Sequence, residues 1–218
     1  MKQPRCRVKI CCIRSVHEAR LAIECGASAL GLVSCMPSGP GTIDEDLIRE
    51  IARTIPPPVA SFLLTSERDP ARIVDQQRRC GTNTLQLCDH LSVAVLRELR
   101  EALPGIGLVQ VVHVEDESSL DYAREMSSVA DALLLDSGRI KQPVKQLGGT
   151  GRTHDWGISR RIRESVSVPV FLAGGIKAVN VNEAISRVEP FGIDLCTGVR
   201  VDGALDETLL RAFFAQLT

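Results

Sequence analysis

Three glycine-bearing segments in the last third of this 218-residue chain have the residue types to hold a phosphate group: Gly148-Gly149-Thr150-Gly151, Ala173-Gly174-Gly175 and Thr197-Gly198. Glycine lets backbone N–H groups approach an anion with no Cβ in the way, and tolerates the positive φ of a chain curling round it. One Gly-Gly alone is more often a tight turn; three in succession at matching places in a fold make a cradle. The second chemically active set is eight cysteines: Cys6, Cys11, Cys12, Cys25, Cys35, Cys80, Cys88 and Cys196. No Cys-x-x-Cys pair occurs, and the vicinal Cys11-Cys12 has no second pair at zinc-ligand spacing. Most sit in apolar runs, so they read as reduced core thiols rather than as a disulfide framework or a metal site.

Positioning such segments requires a regular frame, and the sequence alternates from end to end. Short β-rich runs occur at 7–12, 29–33, 58–64, 84–88, 107–114, 131–136, 169–174 and 192–196. Each is followed by a stretch in which apolar residues recur at three- and four-residue intervals, as in VHEARLAIECG, DEDLIREIARTI, LSVAVLRELREAL and VNVNEAISRV. Asp44 is placed to cap the second helix, and Gly26 follows the first where a helix stop is expected. Buried strands alternating with helices imply a parallel sheet covered by helices. Eight such units exceed the five or six of an open doubly wound sheet, and predict one closed (β/α)₈ barrel of the TIM type over residues 1–218.

In that barrel the three glycine segments fall at the exits of strands six, seven and eight. Phosphate sites of this fold commonly lie between the last two exits, completed by a short extra helix, here expected within Val199 to Gly203. Two long connections, residues 34–43 and 137–155, leave the same face, where loops of that length tend to be functional.

Net charge is −1, which offers no electrostatic field for nucleic acid or an anionic membrane. Aromatic residues are 3%, too few for a base-stacking platform. No apolar run approaches the roughly 20 residues that span a bilayer, and MKQPRCRVKICC lacks the apolar stretch of a signal peptide. A cytoplasmic protein, monomeric or homodimeric, acting on a phosphorylated small molecule is the expectation.

The segments VKICCI, LLLDSG, GGTGRTHDW, PVFLAGGIKAVNV and GIDLCTGV resemble, in order, the successive signatures of the N-(5′-phosphoribosyl)anthranilate isomerase family of tryptophan biosynthesis. The resemblance implies a barrel of the ribulose-phosphate-binding type. It also implies an aldose–ketose isomerase that performs an Amadori rearrangement, aminoaldose to aminoketose, with no metal or organic cofactor. Cys11 matches the family's catalytic base and Asp136 its catalytic acid. Gly149, Gly151, Gly174, Gly175, Thr197 and Gly198 would hold the phosphate. Lys9, Gln86, Arg152 and Asp155 would contact the rest of the substrate.

The departures from the family lie on the same face. Cys12 replaces the glycine usual after the catalytic cysteine. Gly41 stands where the family has an arginine that pairs with the anthranilate carboxylate. QLHG becomes QLCD at Cys88-Asp89, strand three ends in LLTSE, and the family's SSGVE becomes CTGVR, which puts Arg200 in place of a glutamate. Arg139, Arg152 and Arg200 are candidates for the missing cation, and His113 faces either the barrel mouth or the helices. Loss of the arginine leaves open a paralogous isomerase of another phosphorylated sugar, or an inactive barrel that binds a phosphate ligand.

Overall fold

Each of the eight apolar runs forms a strand, because it is followed by an amphipathic helix whose apolar face needs the sheet. The computed structural model describes residues 6–138, 147 and 151–217. The barrel strands are β1 (Arg7–Ile10), β2 (Ala29–Val33), β3 (Ala60–Thr65), β4 (Thr84–Leu87), β5 (Gly107–His113), β6 (Ala132–Asp136), β7 (Val170–Leu172) and β8 (Gly192–Leu195). Between them run α1 (Val16–Glu24), α2 (Glu45–Thr54), α3 (Pro70–Cys80), α4 (Val93–Ala102), α5 (Ser118–Ser127), α6 (Trp156–Ser165) and α7 (Val181–Val188), with α8 (Glu207–Ala215) last. Every neighbouring pair is parallel, and β8 closes on β1 with Lys9 opposite Asp194.

Helix starts follow local chemistry. Asp44 accepts a hydrogen bond from the Leu47 amide at 2.8 Å, as the sequence predicts, and Ser15, Asp69 and Asp206 cap α1, α3 and α8 in the same way. Strand β7 is shorter than its apolar run, because Gly174 and Gly175 adopt φ of +82° and +65° and turn the chain out of the sheet.

Side-chain alternation separates two cores. Outward-facing residues such as Leu30, Leu63, Leu85 and Leu135 join the helices in the larger one. The inward-facing set, including Ala29, Phe62, Val109, Leu134 and Phe171, fills the barrel, with the Phe62 and Phe171 rings edge to face at 6.0 Å. The barrel is thus a packed support whose last inward layer is open at the strand exits.

One local expectation is corrected. The short helix after strand eight is Thr197–Val199, and the segment expected to be helical instead begins a small antiparallel hairpin of β9 (Arg200–Val201) and β10 (Ala204–Leu205). Asp202 and Gly203 have positive φ, which suits a tight turn and breaks a helix.

Candidate active site

A cleft of about 700 Å³, counted out to its open mouth, lies at the C-terminal ends of the strands. Cys11, Gln86, Asp136, Gly151, Gly174, Gly175 and Thr197 line it, with Cys12, Cys88, Asp194 and Cys196. Seven of the twelve residues singled out from the sequence therefore meet in one cavity. Of the rest, Gly149 lies outside the described residues, as does Arg139.

The end of the cleft expected to hold a phosphate is built by close approach of three loops. A Cβ on Gly175 would stand 2.6 Å from the Arg152 carbonyl carbon and 2.7 Å from the Thr153 nitrogen. A Cβ on Gly174 would stand 2.9 Å from Ser137 Oγ. The loops after β6 and β7 can touch only because position 175 has no side chain. Asn180 fastens the turn, donating to the Gly175 carbonyl at 3.0 Å and accepting from the Lys177 amide at 2.8 Å. Gly198 does not line the cleft; it rests against the Ile176 carbonyl, where a Cβ would collide, and brings Thr197 alongside the seventh loop.

The other part of the cleft pairs a buried carboxyl with a buried thiol. Asp136 ends β6, and burial pushes its pKa up, against the opposing pull of His113 and of the Ser137 amide, which donates to it at 2.7 Å. A carboxyl whose pKa is raised keeps its proton to higher pH, which is what a general acid needs. Cys11 is buried across the barrel just past the end of β1, its amide bonded to the Leu195 carbonyl at 2.8 Å. Its thiol and the Lys9 ammonium converge on the empty side of Gly31, where a Cβ would stand 2.8 Å from one and 3.0 Å from the other. Gln86 brings a buried Oε1 with no hydrogen-bond partner among the described residues into the same cleft.

Three residues expected to meet substrate have other places. Lys9 is fully buried beneath the cleft, bonded to Asp194 at 2.9 Å. Burial disfavours its charge, but Asp194, helped by Cys11, keeps its pKa above the usual lysine value. It is a fixed cation under Cys11. Asp155 is exposed and caps α6, accepting from the Gly157 amide at 2.7 Å. Arg152 is exposed, and its main chain is what touches Gly175. His113 shares the inward alternation of Val109 and Val111, and its Nε2 lies 2.9 Å from the Cys88 carbonyl, opposite Asp136 in register.

The departures at Cys12 and Gly41 are one linked change. Cys12 has φ +63°, the conformation glycine adopts without strain, and its side chain projects toward the loop after β2. A Cβ on Gly41 would lie 2.5 Å from Cys12 Cβ and 3.1 Å from its Sγ. The side chain gained at 12 occupies the space needed at 41. On its other side Cys12 Sγ lies 2.7 Å from Cys196 Sγ, and hydrogen bonding to neighbouring sulfurs together with burial holds its pKa well above the thiol norm.

Sequence reasoning missed the partners of two charges. The Arg200 side chain is 5% exposed and bonds Glu18, the Gly203 carbonyl and the carbonyls of Cys11 and Cys12, so it is no free cation for a ligand. Burial alone would raise the Glu18 pKa, but Arg200 and the amides of Leu205 and Arg14 more than offset it. Asp194 was detectable in principle, since a lysine inside a barrel strand requires an inward carboxylate on the adjacent strand.

A parallel barrel with an acid, a thiol and a glycine cradle at its strand exits defines a (β/α)₈ enzyme built for acid–base work on a small anionic ligand. The profile of the N-(5′-phosphoribosyl)anthranilate isomerase family matches residues 8–216, and the chain belongs to that family. The isomerase of Methanocella arvoryzae is 35% identical over 212 residues, covering 97% of each chain. The crystal structure of phosphoribosylanthranilate isomerase from Thermotoga maritima superposes with a TM-score of 0.82 at 28% identity, covering 97% of this chain and 98% of that one. A phosphoribosylanthranilate isomerase in complex with reduced 1-(o-carboxyphenylamino)-1-deoxyribulose 5-phosphate superposes with a TM-score of 0.79 at 26% identity and the same coverage. Among the described residues no helix is long and apolar enough to cross a membrane.

Proposed function

We propose that this chain isomerises N-(5′-phosphoribosyl)anthranilate to 1-(o-carboxyphenylamino)-1-deoxyribulose 5-phosphate in the cytoplasm, with Asp136 as acid and Cys11 as base. The observation that carries the reading is that a carboxyl raised by burial and a thiol beside a fixed ammonium face one cleft, closed at one end by the glycine loops.

Asp136 gives its proton to the furanose ring oxygen. The C1–O bond breaks as the nitrogen lone pair forms a Schiff base, leaving a hydroxyl on C4. Cys11, as thiolate, removes the C2 proton; the C–H electrons form the C1–C2 double bond and the C=N electrons return to nitrogen. The enolamine then takes a proton at C1 and loses one from the C2 hydroxyl, giving the ketone. Lys9 stabilises the thiolate, and Gln86 Oε1 accepts from a sugar hydroxyl. Gly151, Gly174, Gly175 and Thr197 receive the phosphate, and Gly198 keeps the eighth loop against the seventh. No cofactor enters any step.

Cys12 accounts sterically for the absence of a side chain at 41, so the carboxylate of the same substrate has to be met from another residue. A second hollow, lined by Arg14, Gly41, Arg200 and Gly203, shares Cys12, Pro40, Cys196 and Thr197 with the cleft. Arg14, the exposed guanidinium there, donates to the Gly203 carbonyl at 3.3 Å and is the cation we assign to the aryl carboxylate.

The test is turnover of the purified protein on N-(5′-phosphoribosyl)anthranilate, alongside rescue of a tryptophan auxotroph lacking this isomerase. Cys11→Ser and Asp136→Asn should each lower kcat/KM by about 10²–10⁴-fold, whereas Arg14→Ala should raise KM and spare kcat. A soluble protein that neither turns over nor rescues would refute the assignment.

A further inference from the structure

We infer that Arg200, anchored by Glu18, is a positioning residue for Cys11, and that the side chain at position 12 is what makes this positioning necessary. The inference rests on the role proposed above for Cys11.

Among the described residues three non-glycine residues have positive φ: Cys12, Glu189 and Asp202. Glu189 ends a helix and Asp202 turns a hairpin, both exposed, where local strain disturbs little. Cys12 is buried and adjoins the proposed base. Left-handed backbone at an L-residue persists only where the surroundings hold it. A glycine at 12 would take the same conformation freely.

The surroundings here supply several such contacts, although Arg200 Nε is itself buried with no hydrogen-bond partner among the described residues. Arg200 Nη2 donates to the Cys12 carbonyl at 2.6 Å and to the Cys11 carbonyl at 3.1 Å, gripping both peptide oxygens of the turn. Arg200 Nη1 donates to the Gly203 carbonyl at 3.0 Å and to Glu18 Oε1 at 3.1 Å. Glu18 in turn accepts from the amides of Arg14 and Leu205, each at 2.9 Å. The guanidinium thus joins the exit of β1, the first turn of α1 and the hairpin after β8 into one unit. Its planar fork serves three carbonyls and a carboxylate together, which a lysine ammonium cannot match in geometry. The orientation of the Cys11 peptide, and with it the direction of its thiol, follows from that grip.

A purely structural ion pair would matter equally whatever stands at position 12. A device for holding Cys12 in place matters only while Cys12 is there. The experiment therefore crosses Arg200→Lys with Cys12→Gly in the full-length protein, circular dichroism confirming that each variant is folded. Two quantities are read: kcat and KM on N-(5′-phosphoribosyl)anthranilate, and the rate of Cys11 alkylation by iodoacetamide, located by peptide mass spectrometry. Because small misplacements of a reacting group cost up to about 10²-fold, Arg200→Lys should lower kcat about tenfold with KM little changed, and should alter the Cys11 alkylation rate. In the Cys12→Gly background the same substitution should change kcat less than about twofold and leave alkylation unaltered. Equal losses in both backgrounds, or lower melting temperature with kcat and alkylation unchanged, would overturn the inference. If the parent protein does not turn over the substrate, the assignment of function fails, and the alkylation comparison still decides whether Arg200 positions Cys11.

Discussion

Gly41→Ala is expected to destabilise the protein by about 3 kcal/mol, mostly through one contact. Gly41 has φ +81°, and placing an L-residue there costs about 1–2 kcal/mol. The new methyl would lie 2.5 Å from Cys12 Cβ, far inside the roughly 3.5–4.0 Å at which carbon atoms rest together. Cys12 cannot simply swing aside, since its carbonyl is held by Arg200 and its sulfur abuts Cys196. Relieving such an overlap by shifting backbone costs about 1–3 kcal/mol. The narrower unfolded ensemble of alanine returns about 0.4–1 kcal/mol. In a Cys12→Gly chain the contacts with Cβ and Sγ vanish and only a 3.1 Å approach to the residue-12 Cα remains, so the same substitution should cost only about 1 kcal/mol. The coupling between the two positions is therefore about 2 kcal/mol, within the usual range for residues in contact. Urea unfolding of the parent, both single variants and the double variant measures it directly. The corresponding loss in melting temperature for Gly41→Ala in the parent is about 6–12 °C. An equal loss in both backgrounds would refute the claim that residues 12 and 41 compete for one space.

Two further expectations concern buried charge. Burial raises the Asp136 pKa in the folded chain, so the fold favours its protonated form; stability from this group is greatest below the unfolded value near 3.8 and is lost as pH rises through the folded value. Asp136→Asn should therefore raise the melting temperature at neutral pH while sharply lowering turnover, and the gain should fade as pH falls toward 4. For Lys9→Met, which leaves Asp194 buried without its ammonium, urea unfolding should show a loss of about 3–5 kcal/mol, with Asp194→Leu recovering most of it in the double variant.

The linear order of residues carried much of the fold and part of the site. Each strand had to be apolar on both faces, inside and out, so eight continuous apolar runs announced eight barrel strands. Asp44 could be read as a cap because its hydrogen bond spans three residues. Cys11, Asp136 and the glycine loops were legible because the fold sends every strand exit to one face, so that position along a strand becomes position in the cleft. Lys9, Asp155 and Arg152 were harder, since residues at nearly the same height differ in direction: Lys9 lies one inward layer below Cys11, and Asp155 turns back to its own helix. What only the tertiary structure decided are contacts across the closure of the barrel. Cys12 meets Cys196, Lys9 meets Asp194, and Arg200 reaches Cys11 and Cys12 because β8 lies beside β1, although nearly the whole chain separates them in sequence. Cys12 and Gly41 read separately as two losses of family character. In space they are one exchange of volume, since two Cβ atoms cannot occupy the place of one.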